Sequence, residues 1–257
     1  MRTHLTLLLI GFAGASALAP AHAQWSPSPT LDMGVNYGQM ALSQSAIGGT
    51  RALSKSSTKA IESSAASAPP VEARKVPFNP RFSSDPEVSK LVDRRFARYL
   101  ASDQPDQAEA EAMVMRDLEA GHYRSDFKKI LAANGLASND LIDVTAAHYA
   151  GLWEVVRGSP LTRAQVTSIR DQLRKAMRED PELAEMDDAD RQEIAETFML
   201  HTAAALGGYR TLQSRGDQKL LSQYREGVQR NMLPDGPDLK SLSVDSGGFT
   251  SIAPERR

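Results

Sequence analysis

The stretch LIDVTAAHYAGLWEVV, residues 141–156, decides the fold of this chain. Large apolar side chains recur in it three and four positions apart, which is the spacing of one face of an α-helix. Two adjacent series form that face: Leu141, Val144, His148, Leu152 and Val155, and Ile142, Tyr149, Trp153 and Val156. A helix that is apolar over so much of its circumference is normally surrounded by protein. We therefore predict that this helix lies at the centre of the domain and that Trp153 is a core anchor.

Six further stretches with helical periodicity flank the central helix, three on each side. The first begins at the capping box Ser84-Asp85-Pro86-Glu87, and the last ends near Met232, before Pro234-Asp235-Gly236-Pro237. Ser138 is the predicted N-cap of the central helix. The sequence has no convincing strand ladder and no internal repeat. We predict an all-α fold, a single helical bundle of about seven helices over residues 81–233.

The first 23 residues have the pattern of a secretory signal peptide. Met1-Arg2 supplies a positive charge, an apolar run follows, and Ala21-His22-Ala23 places small residues at both positions of a cleavage site. The apolar run is too short to cross a bilayer, which takes about 20 residues. We expect the mature chain to begin at Gln24, to contain no membrane span and to be periplasmic or secreted.

The segments on either side of the helical region are expected to be irregular. Residues 24–80 are rich in Ser, Ala, Gly and Pro and poor in large apolar groups, so they can bury little surface against the entropy of ordering. We predict that they are disordered or loosely docked, and that residues 33–40 are the part that could dock on the folded domain. The tail, residues 234–257, is predicted to be extended or irregular.

Composition excludes several classes of function. The chain has no cysteine, which rules out disulfides, thiolate catalysis and Cys-ligated metals. Its net charge is −2 over the whole chain, and −3 once Arg2 is removed with the signal peptide. Such a balance is unlike that of nucleic-acid-binding domains, which carry a basic excess. The expected partner is another protein or a cell-envelope component, with no nucleic acid.

Three histidines remain after the signal peptide: His122, His148 and His201. None stands in a metal-binding spacing such as H-E-x-x-H, so no metal site and no cofactor are predicted. His148 and His201 nevertheless lie on the apolar faces of the two helices expected to be most buried. If those faces meet, the two imidazoles are candidate ligand-binding residues. The ordinary alternative, a core histidine with one hydrogen bond, is favoured for both, and the pair is expected to be largely buried and neutral.

Asp140, Asp143, Glu193 and Glu196 are the only carboxylates that suggest catalysis. Glycoside hydrolysis uses two carboxyl groups about 5 to 10 Å apart across a cleft. The simpler explanation is that Asp140 is a first-turn acid and that Glu193 and Glu196 form the charged side of a helix. The sequence contains no Gly-rich phosphate loop and no G-x-S-x-G elbow. No catalytic residue is therefore predicted.

The order of these segments resembles a family of uncharacterised exported proteins of Gram-negative bacteria, known only as a domain of unknown function. Four stretches carry the resemblance: Asn139 to Tyr149 with Trp153, Leu183 to Glu193, the long helix that follows, and Leu242 to Phe249. The resemblance implies export and a helical domain. It implies no activity and no site.

Two hypotheses for the function follow. The first is an exported, non-enzymatic binding or interaction protein of the cell envelope. The second is an envelope hydrolase that uses carboxylates in a cleft between helices, which requires a pocket holding at least two acids with raised pKa values. The missing catalytic motifs favour the first hypothesis.

The signal-peptide hypothesis predicts cleavage after Ala23. Intact-mass analysis of the exported protein should give a chain that begins at Gln24, because the A-x-A site directly follows the apolar run. A mature chain that retains Met1 would contradict export by this route.

Overall fold

The structure, a computed structural model, describes residues 78–102, 104–178, 181–232 and 236–252, apart from the side chains of residues 181 and 182. The predicted signal peptide, the segment 33–40 and nearly all of residues 24–80 lie outside these ranges. Within them, the helices are α1 Pro86–Ala101, α2 Gln107–Glu119, α3 His122–Asn134, α4 Leu141–Arg157, α5 Arg163–Met177, the one-turn α6 Pro181–Ala184, α7 Asp188–Arg215 and α8 Gln218–Met232. A 3₁₀ turn, Leu239–Ser241, and two short strands, β1 Leu242–Asp245 and β2 Gly248–Ser251, complete the described chain.

The all-α prediction with about seven helices is confirmed. Seven described helices have 13 residues or more, and the only sheet in the described ranges is the two-stranded one near the C-terminus. No helix among the described residues combines the length and the apolar character that crossing a bilayer would demand.

The centre of the bundle is α4, as its wide apolar face predicts. Of its 17 residues, 15 are buried, Trp153 among them. The helix packs against α7, α5, α8 and the 3₁₀ turn, so it is covered on several sides. The closest of these contacts is with α7. A Cβ on Gly151 would lie 2.6 Å from Cγ2 of Thr202 and 3.2 Å from Cδ1 of Leu206, so only glycine fits there.

The small residues of α7 at positions 203–208 also lie at helix contacts. Ala203, Ala204 and Ala205 are buried, and the hydroxyl of Tyr224 on α8 donates a hydrogen bond to the carbonyl of Ala205 over 2.9 Å. The Tyr224 hydroxyl can reach this carbonyl because the neighbouring side chains of α7 are small. The small residues therefore allow α8 to approach the backbone of α7 closely.

The predicted N-cap of α4, Ser138, is wrong by two residues. Asp140 is the N-cap, and its carboxylate accepts hydrogen bonds from the backbone N–H groups of Ile142 and Asp143. The reason is tertiary. The segment before α1 runs beside residues 139–141 and pairs with them, through hydrogen bonds from Leu141 N to Pro80 O and from Phe82 N to Asn139 O. This pairing holds Asp140 in an extended conformation, so the helix begins only at Leu141.

The tail after α8 is extended, and it forms a hairpin that docks on α5. Strands β1 and β2 pair in antiparallel register, with Val244 opposite Phe249. The amide side chain of Gln172 accepts from the backbone N–H of Phe249 and donates to its carbonyl, over 2.8 and 2.9 Å. The ring of Phe249 is fully buried. Gly248, with φ of +104°, has no space for a Cβ against Gln172.

This docking predicts that the hairpin contributes to global stability. Phe249→Ala should lower the free energy of unfolding by about 3 to 5 kcal/mol, the usual range for truncating a buried phenylalanine. Denaturant unfolding followed by circular dichroism would measure it. Ile252→Ala is the matched control, because this side chain is 43% exposed and should change stability by less than about 0.5 kcal/mol. Equal effects of the two substitutions would show that the hairpin does not belong to the cooperative fold.

Candidate functional site

His148 lies on the face of α4 that packs against α7. Its ring stacks on that of Phe198, with centroids 4.2 Å apart and planes 4° from parallel. Its Nδ1 atom is 2.8 Å from Oγ1 of Thr202. Because the Thr202 hydroxyl donates its hydrogen to the carbonyl of Phe198, over 2.6 Å, we assign the ring proton of His148 to Nδ1, which donates to Thr202.

His201 lies on α7, one turn after Phe198, and faces α1. Its ring meets that of Phe96 edge-on at 5.2 Å between centroids, and that of Tyr99 at 5.0 Å. Burial lowers the pKa of His201 to about 4. Burial, followed by repulsion from His201, lowers the pKa of His148 to about 3. Both imidazoles are therefore buried and neutral near pH 7, as their positions on inner faces predict.

The space beside His201 is too small for a ligand. A cavity of about 20 Å³ lies between α1 and α7, and an ion pair between Arg95 and Glu193 stands among its lining residues. That volume holds about one water molecule. Within the described ranges, no three His, Asp or Glu side chains come together as metal ligands would. The geometry thus favours a structural role for His148 and His201.

Asp140 and Asp143 form an ionic group at the start of α4. Beyond its capping bonds, Asp140 has an oxygen 3.5 Å from Nη2 of Arg174 on α5, and the same nitrogen is 3.2 Å from Asp143. The other oxygen of Asp143 accepts from the backbone N–H of Ala137 over 2.8 Å. Burial raises the pKa of Asp143 despite that bond. Both carboxylates therefore hold the junction between α3, α4 and α5.

Glu193 and Glu196 contact other helices. Glu193 pairs with Arg95, while Glu196 accepts from Nε of Arg124 on α3 over 3.1 Å. Nη1 of Arg124 is also 2.7 Å from Asp93, whose pKa burial raises. The structure therefore does not bring the four acids together. Asp140 and Asp143 share Arg174, whereas Glu193 and Glu196 bind two different arginines, Arg95 and Arg124.

A larger cleft opens at the C-terminal end of α4. Its volume is about 340 Å³, within the range of small-molecule sites. We call it the Trp153 cleft, and six residues from α4, the loop after it, α8 and the 3₁₀ turn line it: Trp153, Val156, Arg157, Ser159, Arg225 and Lys240. Three of the six are cations and none is an acid.

Arg225 is fixed against the end of α4. Its Nε and Nη2 atoms donate to the carbonyl of Val156 over 3.1 and 2.8 Å. This carbonyl belongs to the last turn of the helix, where backbone acceptors lack intrahelical partners. The guanidinium lies over Gly158, whose missing Cβ would stand only 3.1 Å from its carbon and whose φ is +75°. The left-handed turn favours glycine there, and a Cβ would also crowd the guanidinium of Arg225.

Arg157 and Lys240 complete the wall of the cleft. The guanidinium of Arg157 lies 5.9 Å from the ring centroid of Trp153 and donates to the carbonyl of Lys240 over 3.0 Å. Lys240 itself pairs with Glu226. Among the described residues, neither Arg157 nor Arg225 has a carboxylate partner within ion-pair distance. As far as the described chain extends, the cleft therefore holds two positioned guanidinium groups that no carboxylate neutralises.

Sequence reasoning did not find this cleft. Of its lining residues, the helical pattern indicates only Trp153 and Val156, both as part of the apolar face of the central helix. Arg225 and Lys240 come from segments more than 60 residues further along, and in the sequence they are ordinary cations of an amphipathic helix and a tail. Only Gly158-Ser159-Pro160, which marks the end of α4, signals where a loop opens.

The two buried histidines predict a loss of stability in mild acid. In the unfolded chain histidine titrates near pH 6.5, whereas both folded pKa values are far lower. Below pH 6.5 the unfolded state takes up protons that the folded state does not. Each histidine should therefore lower the free energy of unfolding by up to about 1.4 kcal/mol per pH unit, until its folded pKa is reached. Denaturant unfolding at pH 7, 6 and 5 would measure this.

His201→Phe isolates the effect, because the aromatic neighbours accept a phenyl ring and one titration is removed. The loss of stability between pH 7 and 5 should shrink by about 1 to 2 kcal/mol relative to the parent protein. His122→Gln is the control, since His122 is exposed on α3. Asp93 and Asp143 have raised pKa values, so their protonation stabilises the folded state as the pH falls. Both acids are present in the parent protein and in the variant, so their contribution cancels when the two pH slopes are compared. An unchanged pH slope in His201→Phe would show that His201 is not buried in its neutral form.

Comparison with known proteins gives a family and no activity. No curated protein and no solved structure matches the chain. A family model described as "Family of unknown function (DUF6683)" matches residues 2–248, nearly the whole chain. The resemblance to a domain of unknown function is thus confirmed, while export and a Gram-negative origin stay predictions. The chain belongs to the DUF6683 family of unknown function.

Proposed function

We propose that this protein is an exported, non-enzymatic binding protein of the cell envelope and that the Trp153 cleft is its binding site. The observation that carries the proposal is the cleft itself. It is concave, it has the volume of a small-molecule site, and it combines an aromatic residue with donors of fixed position, namely Trp153, Arg157 and Arg225. Such a combination is typical of recognition sites.

The arrangement of acids supports binding over hydrolysis. A carboxylate hydrolase needs two acids facing one cleft, at least one with a raised pKa. Asp93 and Asp143 have raised pKa values, but Arg124 and Arg174 bind them at helix contacts. Neither acid lines the Trp153 cleft. The carboxylates of this domain are therefore best explained as parts of the fold.

Export and partner class rest on the sequence. The signal-peptide pattern of residues 1–23 predicts a mature chain in the periplasm or outside the cell. The partner is then a protein or another component of the envelope. The mild acidity of the whole chain argues against nucleic acid, although the cleft itself is locally basic.

Site-specific photo-crosslinking in envelope extracts tests the proposal. A photoreactive amino acid in place of Ser159, an exposed residue of the cleft, should give a discrete adduct, because a bound molecule lies beside it. The matched control carries the same amino acid in place of Ser125, which is exposed on α3 and does not line the cleft. Mass spectrometry identifies the adduct in either case.

The outcome depends on the difference between the two positions. An adduct formed at position 159 and missing at position 125 supports binding in the cleft. Identical adduct patterns, or none at either position, would contradict the proposal.

A further inference from the structure

We infer that the Trp153 cleft binds an oxyanion, the phosphate or carboxylate group of a small molecule, held by Arg157 and Arg225. This inference rests on the proposed function, since it names the ligand chemistry of the same cleft. It depends on three observations: the uncompensated charge of the cleft, the fixed position of its guanidinium groups, and the donors that the protein leaves for a ligand.

The first observation concerns charge. The C-terminus of α4 carries a partial negative charge of about half a unit. Arg157 and Arg225 bring two full positive charges to that end, and Lys240 is neutralised by Glu226. About one and a half positive charges therefore remain at the cleft, and they attract anions to it. This local positive charge is opposite in sign to the net charge of the chain, which is −2.

The second observation concerns position. Each guanidinium is tied to a backbone carbonyl, Arg225 to Val156 O over 2.8 Å and Arg157 to Lys240 O over 3.0 Å. Trp153 lies beneath Arg157 and Gly158 beneath Arg225. A flexible cationic side chain loses conformational entropy when it binds an anion. The contacts of Arg157 and Arg225 already restrict their side chains in the free protein, so less entropy remains to be lost on binding.

The third observation concerns free donors. A guanidinium has five N–H groups in a planar fork, suited to the two oxygens of a carboxylate or phosphate. Arg225 uses Nε and Nη2 for Val156 and keeps Nη1, while Arg157 uses only Nη1. Ser159 lines the same space. Each arginine therefore keeps donors for an anion in the cleft that both of them line, without breaking a bond of the fold.

Titration of the full chain with simple anions tests the inference. Trp25→Phe leaves Trp153 as the only tryptophan, and its fluorescence reports on Arg157 beside it. Inorganic phosphate and acetate are the two probes, and sodium chloride at matched ionic strength corrects for screening. A saturable change with phosphate or acetate, and none with chloride, is expected. The probe that saturates at the lower concentration identifies the oxyanion.

Arg157→Gln in the same background should weaken binding about tenfold or more, the usual effect of losing a hydrogen bond to a charged group. Arg157 is exposed, so this substitution should leave the fold intact. Arg94→Gln removes an exposed charge of α1 away from the cleft and should leave the affinity unchanged. Equal weakening in both variants would mean that the effect is general electrostatics and would overturn the inference.

Failure of the inference is distinguishable from failure of the proposed function. If neither probe saturates while the crosslinker at Ser159 still gives its specific adduct, the cleft binds a ligand that is not an oxyanion. If both experiments fail, the cleft is not a binding site. A response to chloride equal to that with phosphate and acetate would also overturn the anion inference.

Discussion

The contact between α4 and α7 through Gly151 is the constraint on which the rest of the structure depends. Glycine brings the two helices so close that Thr202 and Leu206 occupy the place of its side chain. A helix interior disfavours glycine by about 1 kcal/mol relative to alanine, so the close contact must return more than that in packing. Once α4 is fixed against α7, it forms the centre of the bundle. The other large helices and the hairpin then cover these two.

This close contact also explains why the inner faces carry polar groups. Thr202 packs against Gly151 and at the same time accepts the hydrogen bond of His148. A buried imidazole needs such a partner, because an unsatisfied polar group in the core is costly. The histidine gives the interface a directional bond that an apolar residue would lack. The contact between α4 and α7 therefore gives His148 a structural role.

The sequence predicts the parts of this structure that depend on local pattern, and it fails where distant segments meet. Periodicity finds the seven large helices and the central place of α4, because each signal lies within one helix. The start of α4 was misplaced at Ser138, because the pairing of Pro80 with Leu141 is a long-range contact. The hairpin was expected only as an extended tail, since its docking depends on Gln172, 77 residues before Phe249.

The burial of His148 and His201 was predictable from their helical faces. The Trp153 cleft was not, because three separate segments form it.

The position of the cleft follows from the same central helix. A helix buried along its length has to end at the surface, and there its last carbonyls need donors from elsewhere in the chain. In this protein α8 supplies one of them, Arg225, and the 3₁₀ turn brings Lys240 beside Arg157. The cleft is the space left between these three segments, and α4, the most buried helix, forms its wall. A site built on such a helix keeps its geometry without a ligand, which is the condition for recognising a small anion with few contacts.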